Sequence, residues 1–280
     1  MNKNIISVIG GDLRQVYLAE LIAASGYTVF LAGTENCPYI PDGVFMTDVR
    51  SAVKFARSVI LPLPATMDGL LVNAPFAEGQ IHLNDISPLI KNKKVFAGIA
   101  KRLADINAID YYTDEILLRE NALLTAEGAV AQAVEQYPGK LCGSVCLVTG
   151  YGRIAKELCK ILSALGCKVT VAARSENARA DAQKADVTAI DFKELPAIAG
   201  QFEIIFNTVP APVITDKIIP LLLKNCFIAD LASAPGGTDF PLARDYGIKA
   251  LLLPGLPGRF SPLAAAESIW KAVLRSSADI

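Results

Sequence analysis

The segment Val145-Cys146-Leu147-Val148-Thr149-Gly150-Tyr151-Gly152-Arg153-Ile154-Ala155 constrains this chain more than any other. An apolar run ends in G-x-G-x-x-A and an amphipathic stretch follows, which is the strand, turn, helix order of a dinucleotide-binding unit. Gly150 allows the tight turn, Gly152 lets the backbone approach a pyrophosphate, and Ala155 is small enough for the helix to lie close on the strand. The first amides of the helix, around Arg153 and Ile154, have no acceptor inside it and can meet an anion. A bare glycine pattern would be weak. Here strand, glycines, helix, Gly166 and a second strand at 168–173 fall within about 30 residues, which makes the motif specific.

A carboxylate for the ribose 2′-hydroxyl is expected where that second strand ends, yet Ala173 runs into Arg174-Ser175. A guanidinium beside a hydroxyl suits a 2′-phosphate, which Arg can hold through two parallel charge-assisted hydrogen bonds. NADP is therefore preferred over NAD. Arg174 read as a solvated loop residue would leave NAD open.

The alternation around the motif is regular, with strands at 144–149, 168–173, 203–208, 226–231 and 248–253, and helices at 153–165 and near 176–185, 215–224 and 239–246. That is a doubly wound sheet. The amino end opens with a second βαβ pattern: Ile5–Ile9, a helix from Leu13 to Ala24, and Tyr27–Leu31, with further strands at Ser58–Leu61 and Val95–Ile99. A helical pattern over 126–136 stops at Tyr137-Pro138-Gly139. With 280 residues and roughly 150 per domain, the expectation is an α/β protein of two parallel-sheet domains. Residues 1–130 form a flavodoxin-like substrate domain, 131–258 an NAD(P)-binding Rossmann domain, and 259–280 a closing helix that packs back on the first domain.

Composition removes other classes. Lys+Arg 27 against Asp+Glu 28, with no block of like charge, argues against nucleic acid or anionic lipid as partner. No apolar run reaches the length of about 18 needed to span a membrane, and Ile5–Ile9 is too short for a secretory signal. The six cysteines are scattered without a CxxC pair, so neither a metal cage nor a disulfide framework is indicated. A reducing cytoplasm fits. The single histidine, His82, has no carboxylate partner in sequence and reads as a surface residue; no hydrolase triad or Walker loop is present.

Strand ends supply the remaining candidates. Gly10-Gly11-Asp12-Leu13-Arg14-Gln15 lacks the later fingerprint positions, so no dinucleotide is expected there. Asp12 and Gln15 have the spacing of a capping box, while Arg14 is placed to receive a substrate carboxylate. Loops at Leu61–Thr66 and at Asn207-Thr208-Val209-Pro210 are expected to line a cleft between the domains, the second of them near the nicotinamide ribose. Asp230-Leu231-Ala232-Ser233 leads into Gly236-Gly237, a loop that can approach a flat ligand closely.

Together these residues resemble a known family, the A subunits of dipicolinate synthase from endospore-forming bacteria, over nearly the whole chain. The resemblance rests on Val8–Gln15, Ile60-Leu61-Pro62 with Ala65-Thr66, Ala126-Glu127-Gly128, Gly150–Arg153, Ala172–Ser175, Asp230–Phe240 and Gly247–Gly258. The last two blocks are the specific ones. Thr125-Ala126 before Glu127 departs from the Pro-Thr expected there.

The resemblance implies oxidation of dihydrodipicolinate, or of its hydroxy-tetrahydro precursor, to dipicolinate with NADP, in the cytoplasm of the sporulating mother cell. It implies a partner, the flavoprotein-like B subunit of dipicolinate synthase, and an arrangement like that of formate/glycerate or alanine dehydrogenases. A homo-oligomer stays open. Within this reading Arg14, Gln15, Thr66 and a helix start near Gly128 meet the dicarboxylate, and Glu127 or Asp239 accepts a proton. Another NADP-linked dehydrogenase of a small carboxylate and a non-catalytic NADP-binding protein are the alternatives.

Overall fold

A computed structural model describes residues 5–277. Its twelve strands form two six-stranded sheets in which every pairing is parallel. Parallel neighbours need crossover helices, which cover both faces of a sheet and demand strands that are apolar throughout. All five residues of Ile5–Ile9 are buried accordingly.

The chain divides into two compact units, residues 1–121 with 261–280, and residues 122–260. The first holds β1 (Ile5–Ile9), α1 (Leu13–Ala24), β2 (Thr28–Ala32), β3 (Val44–Met46), α2 (Val49–Phe55), β4 (Ser58–Ile60), α3 (Leu83–Ile90), β5 (Lys94–Ala97) and β6 (Ile109–Asp110). Helix α4 (Glu115–Gln136) leads into the second, made of β7 (Val145–Thr149), α5 (Arg153–Ala164), β8 (Lys168–Ala172), α6 (Glu176–Lys184), β9 (Thr188–Ile190), α7 (Leu195–Ile198), β10 (Ile204–Asn207), β11 (Phe227–Asp230), α8 (Phe240–Asp245), β12 (Lys249–Leu252) and α9 (Leu256–Phe260). Helix α10 (Pro262–Ser276) returns to the first unit, where it packs on α1.

The division falls inside α4, ahead of the sequence boundary at 130. An unbroken helix carries no turn residue to mark it. The first sheet runs β3-β2-β1-β4-β5-β6 and the second β12-β11-β10-β7-β8-β9. Both are the Rossmann order 3-2-1-4-5-6; without its three-residue edge strand β3, the first reduces to the flavodoxin order 2-1-3-4-5. In each sheet the order reverses beside the first strand, so ligand-binding crevices are expected outside the carboxyl ends of β1 and β4, and of β7 and β10.

Two expectations need correction. The helix anticipated over 126–136 begins at Glu115, where the Asp114 carboxylate caps it by accepting Leu117 N at 2.8 Å. The helix near 215–224 is only a 3₁₀ turn, Ile219–Leu221, because Pro220 offers no amide and disfavours helical geometry at Ile219.

In the first unit one sheet face meets α1 and α10 through Val16, Leu18, Ile22, Ile269, Trp270 and Val273, and the other meets α2 and α3 through Val53, Ile86 and Ile90. Each such side chain contributes about 1.5–3 kcal/mol by leaving water. A forked ion pair fastens the end of α10: Arg275 Nε and Nη2 donate to the Asp114 carboxylate at 2.8 Å each. The hydrogen bond from Arg275 holds the Asp114 carboxyl down at about 2, against the opposing effect of burial. A depressed folded value stabilises above the unfolded pKa of about 3.9 and fades as pH falls towards 2. Asp114→Asn keeps a helix-capping oxygen and loses the ion pair. It should lower stability at pH 7 by about 0.5–1 kcal/mol, the range for a solvent-screened pair, and the difference from the parent should vanish near pH 2 in urea titrations.

Candidate functional site

The carboxyl edge of the second sheet carries the dinucleotide motif. Strand β7 ends at Thr149, and Gly150 turns the chain with φ +79°; a Cβ there would lie 2.9 Å from Thr208 Oγ1, so only glycine fits. Gly152 sits at the N-cap of α5 with φ −81°, no side chain caps that helix, and a Cβ at Gly152 would meet nothing within 4 Å. The start of α5 is therefore uncrowded at Gly152 and carries no side-chain cap at the positive end of the helix dipole, which suits a pyrophosphate. The Tyr151 ring lies along the flank of α5 with Lys156 Nζ 5.3 Å from its centroid, leaving only its backbone for the turn. Arg153 is exposed and Ile154 half-buried.

Beneath these loops runs a buried polar row. Thr149, Asn207 and Asp230 occupy neighbouring register positions at the last residues of β7, β10 and β11, and all three are fully buried. Thr149 Oγ1 donates to Asn207 Oδ1, and Asn207 Nδ2 donates to Asp230 Oδ1 at 2.8 Å. The Asp230 carboxylate also accepts Ala232 N at 3.1 Å, Gly237 N at 2.9 Å and the Thr238 hydroxyl at 2.7 Å. Val209 N returns to Asn207 Oδ1 at 3.1 Å, and Thr208 Oγ1 donates to Thr149 O at 2.6 Å. The loops that carry Thr208, Val209, Pro210, Ala232 and Ser233 are thus held by one network. Pro210 and Ser233 are exposed, whereas Ala232 is buried. In the sequence Asp230 marks only the start of the loop that leads to Gly236-Gly237, with nothing to show its partners.

At the end of β8 Arg174 is exposed, and Ser175 caps α6 by accepting Ala178 N at 3.4 Å. Arg179 Nη1 donates to Ala173 O at 2.7 Å, to Arg174 O at 2.8 Å and to Asp191 Oδ2 at 2.8 Å. Spacing alone did not single out Arg179.

In the first unit the Asp12 carboxylate caps α1 and grips Arg14. It accepts Arg14 N at 3.0 Å, Nε at 2.9 Å and Nη2 at 2.8 Å, while Nη2 also donates to Leu63 O at 2.6 Å. Arg14 is only 6% exposed. Burial opposes its charge, but the hydrogen bond and charge of Asp12 outweigh it and hold the guanidinium pKa above its ordinary value.

The capping box does not form: Gln15 is buried and points Nε2 at Leu61 O, 3.4 Å away. Thr66 is also buried; its hydroxyl accepts Gly69 N at 2.9 Å and donates to Asp68 at 3.1 Å. The same loop holds a cation that the sequence did not single out, Arg102, whose Nη1 donates to Thr66 O at 3.2 Å.

Gly128 is not a helix start. It lies mid-way along α4, buried where a Cβ would come 2.9 Å from Leu256 Cβ, so it offers closeness of packing and no anion-binding amide. Asp239 is the N-cap of α8 and accepts Leu242 N at 3.0 Å. Glu127 is exposed on α4, and its carboxylate accepts no hydrogen bond among the described residues. His82 is exposed at the start of α3 and caps nothing. Among the described residues no cluster of His, Cys, Asp and Glu is arranged to hold a metal, and no helix is long and apolar enough to cross a membrane.

Residues 5–108 match the family model for the N-terminal domain of the dipicolinate synthase A subunit, and residues 117–221 that for the NAD-binding domain of D-isomer specific 2-hydroxyacid dehydrogenases. A curated protein, the A subunit of dipicolinate synthase from Bacillus subtilis (strain 168), is 28% identical over 98% of this chain and 96% of its own length. The chain is thus similar, over nearly its whole length, to dipicolinate synthase A subunits. The crystal structure of the Bacillus halodurans A subunit superposes with a TM-score of 0.84 at 25% identity, covering 98% of this chain and 97% of its own. A transhydrogenase from Sinorhizobium meliloti shares the fold alone, with a TM-score of 0.70 at 14% identity over 97% of this chain and 91% of its own.

The chain therefore carries a dehydrogenase-type, NAD(P)-binding unit, and the proteins it is similar to are named as one subunit of a synthase. Because nothing surrounds a Cβ at Gly152, Gly152→Ala should leave thermal stability within about 0.5 kcal/mol of the parent while lowering nicotinamide dinucleotide affinity about tenfold or more by calorimetry. Unchanged affinity would show that the pyrophosphate does not approach this turn.

Proposed function

We propose that this chain is the dehydrogenase subunit of a dipicolinate synthase, oxidising dihydrodipicolinate to pyridine-2,6-dicarboxylate with NADP during sporulation. The observation that carries the reading is the match of 98% of the chain to A subunits of that name, together with a glycine turn opening α5. A flavoprotein-like B subunit works beside it in the mother-cell cytoplasm.

The ring loses one hydride and one proton and becomes aromatic, which supplies the driving force; from the hydroxy-tetrahydro precursor a water leaves as well. NADP, when bound, supplies the hydride acceptor. The chain's task is then mainly orientation, which alone can be worth about 7–11 kcal/mol of barrier. Gly150, Gly152 and the first amides of α5 hold the pyrophosphate, the Thr208-Val209 backbone lies near the nicotinamide ribose, and Arg174 with Ser175 takes the 2′-phosphate. Arg14 anchors a substrate carboxylate through the edge of its guanidinium that Asp12 and Leu63 leave unused. Glu127 accepts the proton, since Asp239 is engaged as a cap.

Purified chain supplied with freshly generated dihydrodipicolinate and NADP, with and without the B partner, should release dipicolinate and NADPH in equal amounts. Absence of both while NADP binds would overturn the substrate assignment and favour a non-catalytic nucleotide-binding role. Arg14→Lys keeps the charge beside Asp12 and loses the fork. It should raise the substrate KM about tenfold with kcat nearly retained, and an unchanged KM would remove Arg14 from the site.

A further inference from the structure

Arg179 lies one turn into α6, outside the pair of residues proposed to meet the 2′-phosphate, yet it is tied to the same stretch of backbone. Its Nη1 holds the carbonyls of Ala173 and Arg174 at 2.7 and 2.8 Å, which fixes the path of the chain as it leaves β8. The same atom meets Asp191 Oδ2 at 2.8 Å.

Asp191 follows β9 directly, Ile190 pairs with Ala172 in register, and Ala173 N donates to Ile190 O at 3.1 Å. A carboxylate thus stands one strand over from Arg174. The Lys193 amide, which donates to it at 3.0 Å, and then the charge of Arg179 keep it ionised below its ordinary pKa despite the opposing effect of desolvation. Left unmasked, that charge would repel a phosphate arriving at the end of β8, whereas a free ribose hydroxyl would not feel it as a like charge. The pair is partly shielded from water, with side-chain exposures of 22% for Arg179 and 30% for Asp191, so the masking is not fully lost to solvent screening.

We infer that Arg179 is a positioning residue for nucleotide choice: it clamps the Ala173 and Arg174 carbonyls and masks Asp191, so that the end of β8 admits a phosphate and NADP is selected over NAD. The inference rests on the assignment of Arg174 and Ser175 to the 2′-phosphate. It adds the reason why a site bordered by an acid can take one.

The test is direct binding of NADPH and NADH to the parent, Arg174→Ala, Arg179→Ala, and the double variant Arg179→Ala/Asp191→Asn, with melting temperatures recorded for each. Arg179→Ala should lose about tenfold in NADPH affinity and keep its NADH affinity. The double variant, with the acid neutralised, should regain the share of NADPH binding lost to the unmasked charge though not the share lost with the carbonyl clamp, and the penalty of the single variant should shrink between about 0.05 and 0.5 M salt, conditions chosen to span roughly a threefold change in Debye length.

Equal loss for both nucleotides, or a double variant no better than the single one, would make Arg179 a structural clamp only and overturn the inference. A parent without preference for NADPH, or an Arg174→Ala variant with an unaltered ratio, would remove the phosphate assignment itself, and the inference with it. The Arg174→Ala arm thus separates the two failures.

Discussion

The second unit depends on how it keeps an uncompensated carboxylate inside a protein. Asp230 is fully buried with no cation bonded to it among the described residues, a placement that costs several kcal/mol unless its lone pairs are met. Four donors meet them: Asn207 Nδ2, the amides of Ala232 and Gly237, and the Thr238 hydroxyl. Because those donors come from β10 and from both limbs of the loop after β11, satisfying one charge fixes three pieces of chain. Asn207 passes the constraint on to Thr149 on β7, and Thr208 closes on the Thr149 carbonyl against Gly150. The glycine turn ahead of α5 is therefore backed by a polar row whose members cannot shift singly without leaving a buried group unpaired.

The two sheets share a strand order and a glycine-bearing first turn, and still differ in what their first helices can do. In the second unit the N-cap is Gly152, which contributes no side chain, so the helix end is left to an outside anion. In the first the N-cap is Asp12, whose carboxylate already occupies that end and then binds Arg14. One cap leaves room for an anion, and the other supplies one and pairs it with a buried arginine. A single residue type at the cap thus decides which charge each unit presents outside its strands.

The helix-strand alternation of the second unit was legible because its strands of four or five residues are mostly apolar and its first helix, α5, is amphipathic. Strands β3, β6 and β9, of two or three residues, are too short for any period to register. The start of α4 was missed because Glu115–Asn121 mixes charged and apolar residues in a way that weakens the amphipathic signal, although Asp114 stands in front as a cap. The glycine turn and Arg174-Ser175 could be found because their chemistry is local in sequence. The roles of Asp230 and Arg179 could not, since their partners stand at other strand ends and only the fold brings them together.

Gln15 and Thr66 show the limit from the other side. Polar residues at the carboxyl ends of strands in an α/β sheet are reasonable ligand contacts on position alone. What separates a structural polar group from one that can meet a ligand is whether the chain has already used its hydrogen bonds. The Thr66 hydroxyl is spent within its own loop, and Gln15 is buried with its Nε2 on Leu61 O but its Oε1 without a partner, whereas the surroundings of Gly152 are open and the Arg174 side chain is exposed. By that criterion the nucleotide end of the second unit is the better defined of the two. In the first unit the remaining capacity is carried by guanidinium groups, Arg14 beside Asp12 and Arg102 on the Thr66 loop. Guanidinium groups of that kind can receive carboxylates through paired, charge-assisted hydrogen bonds.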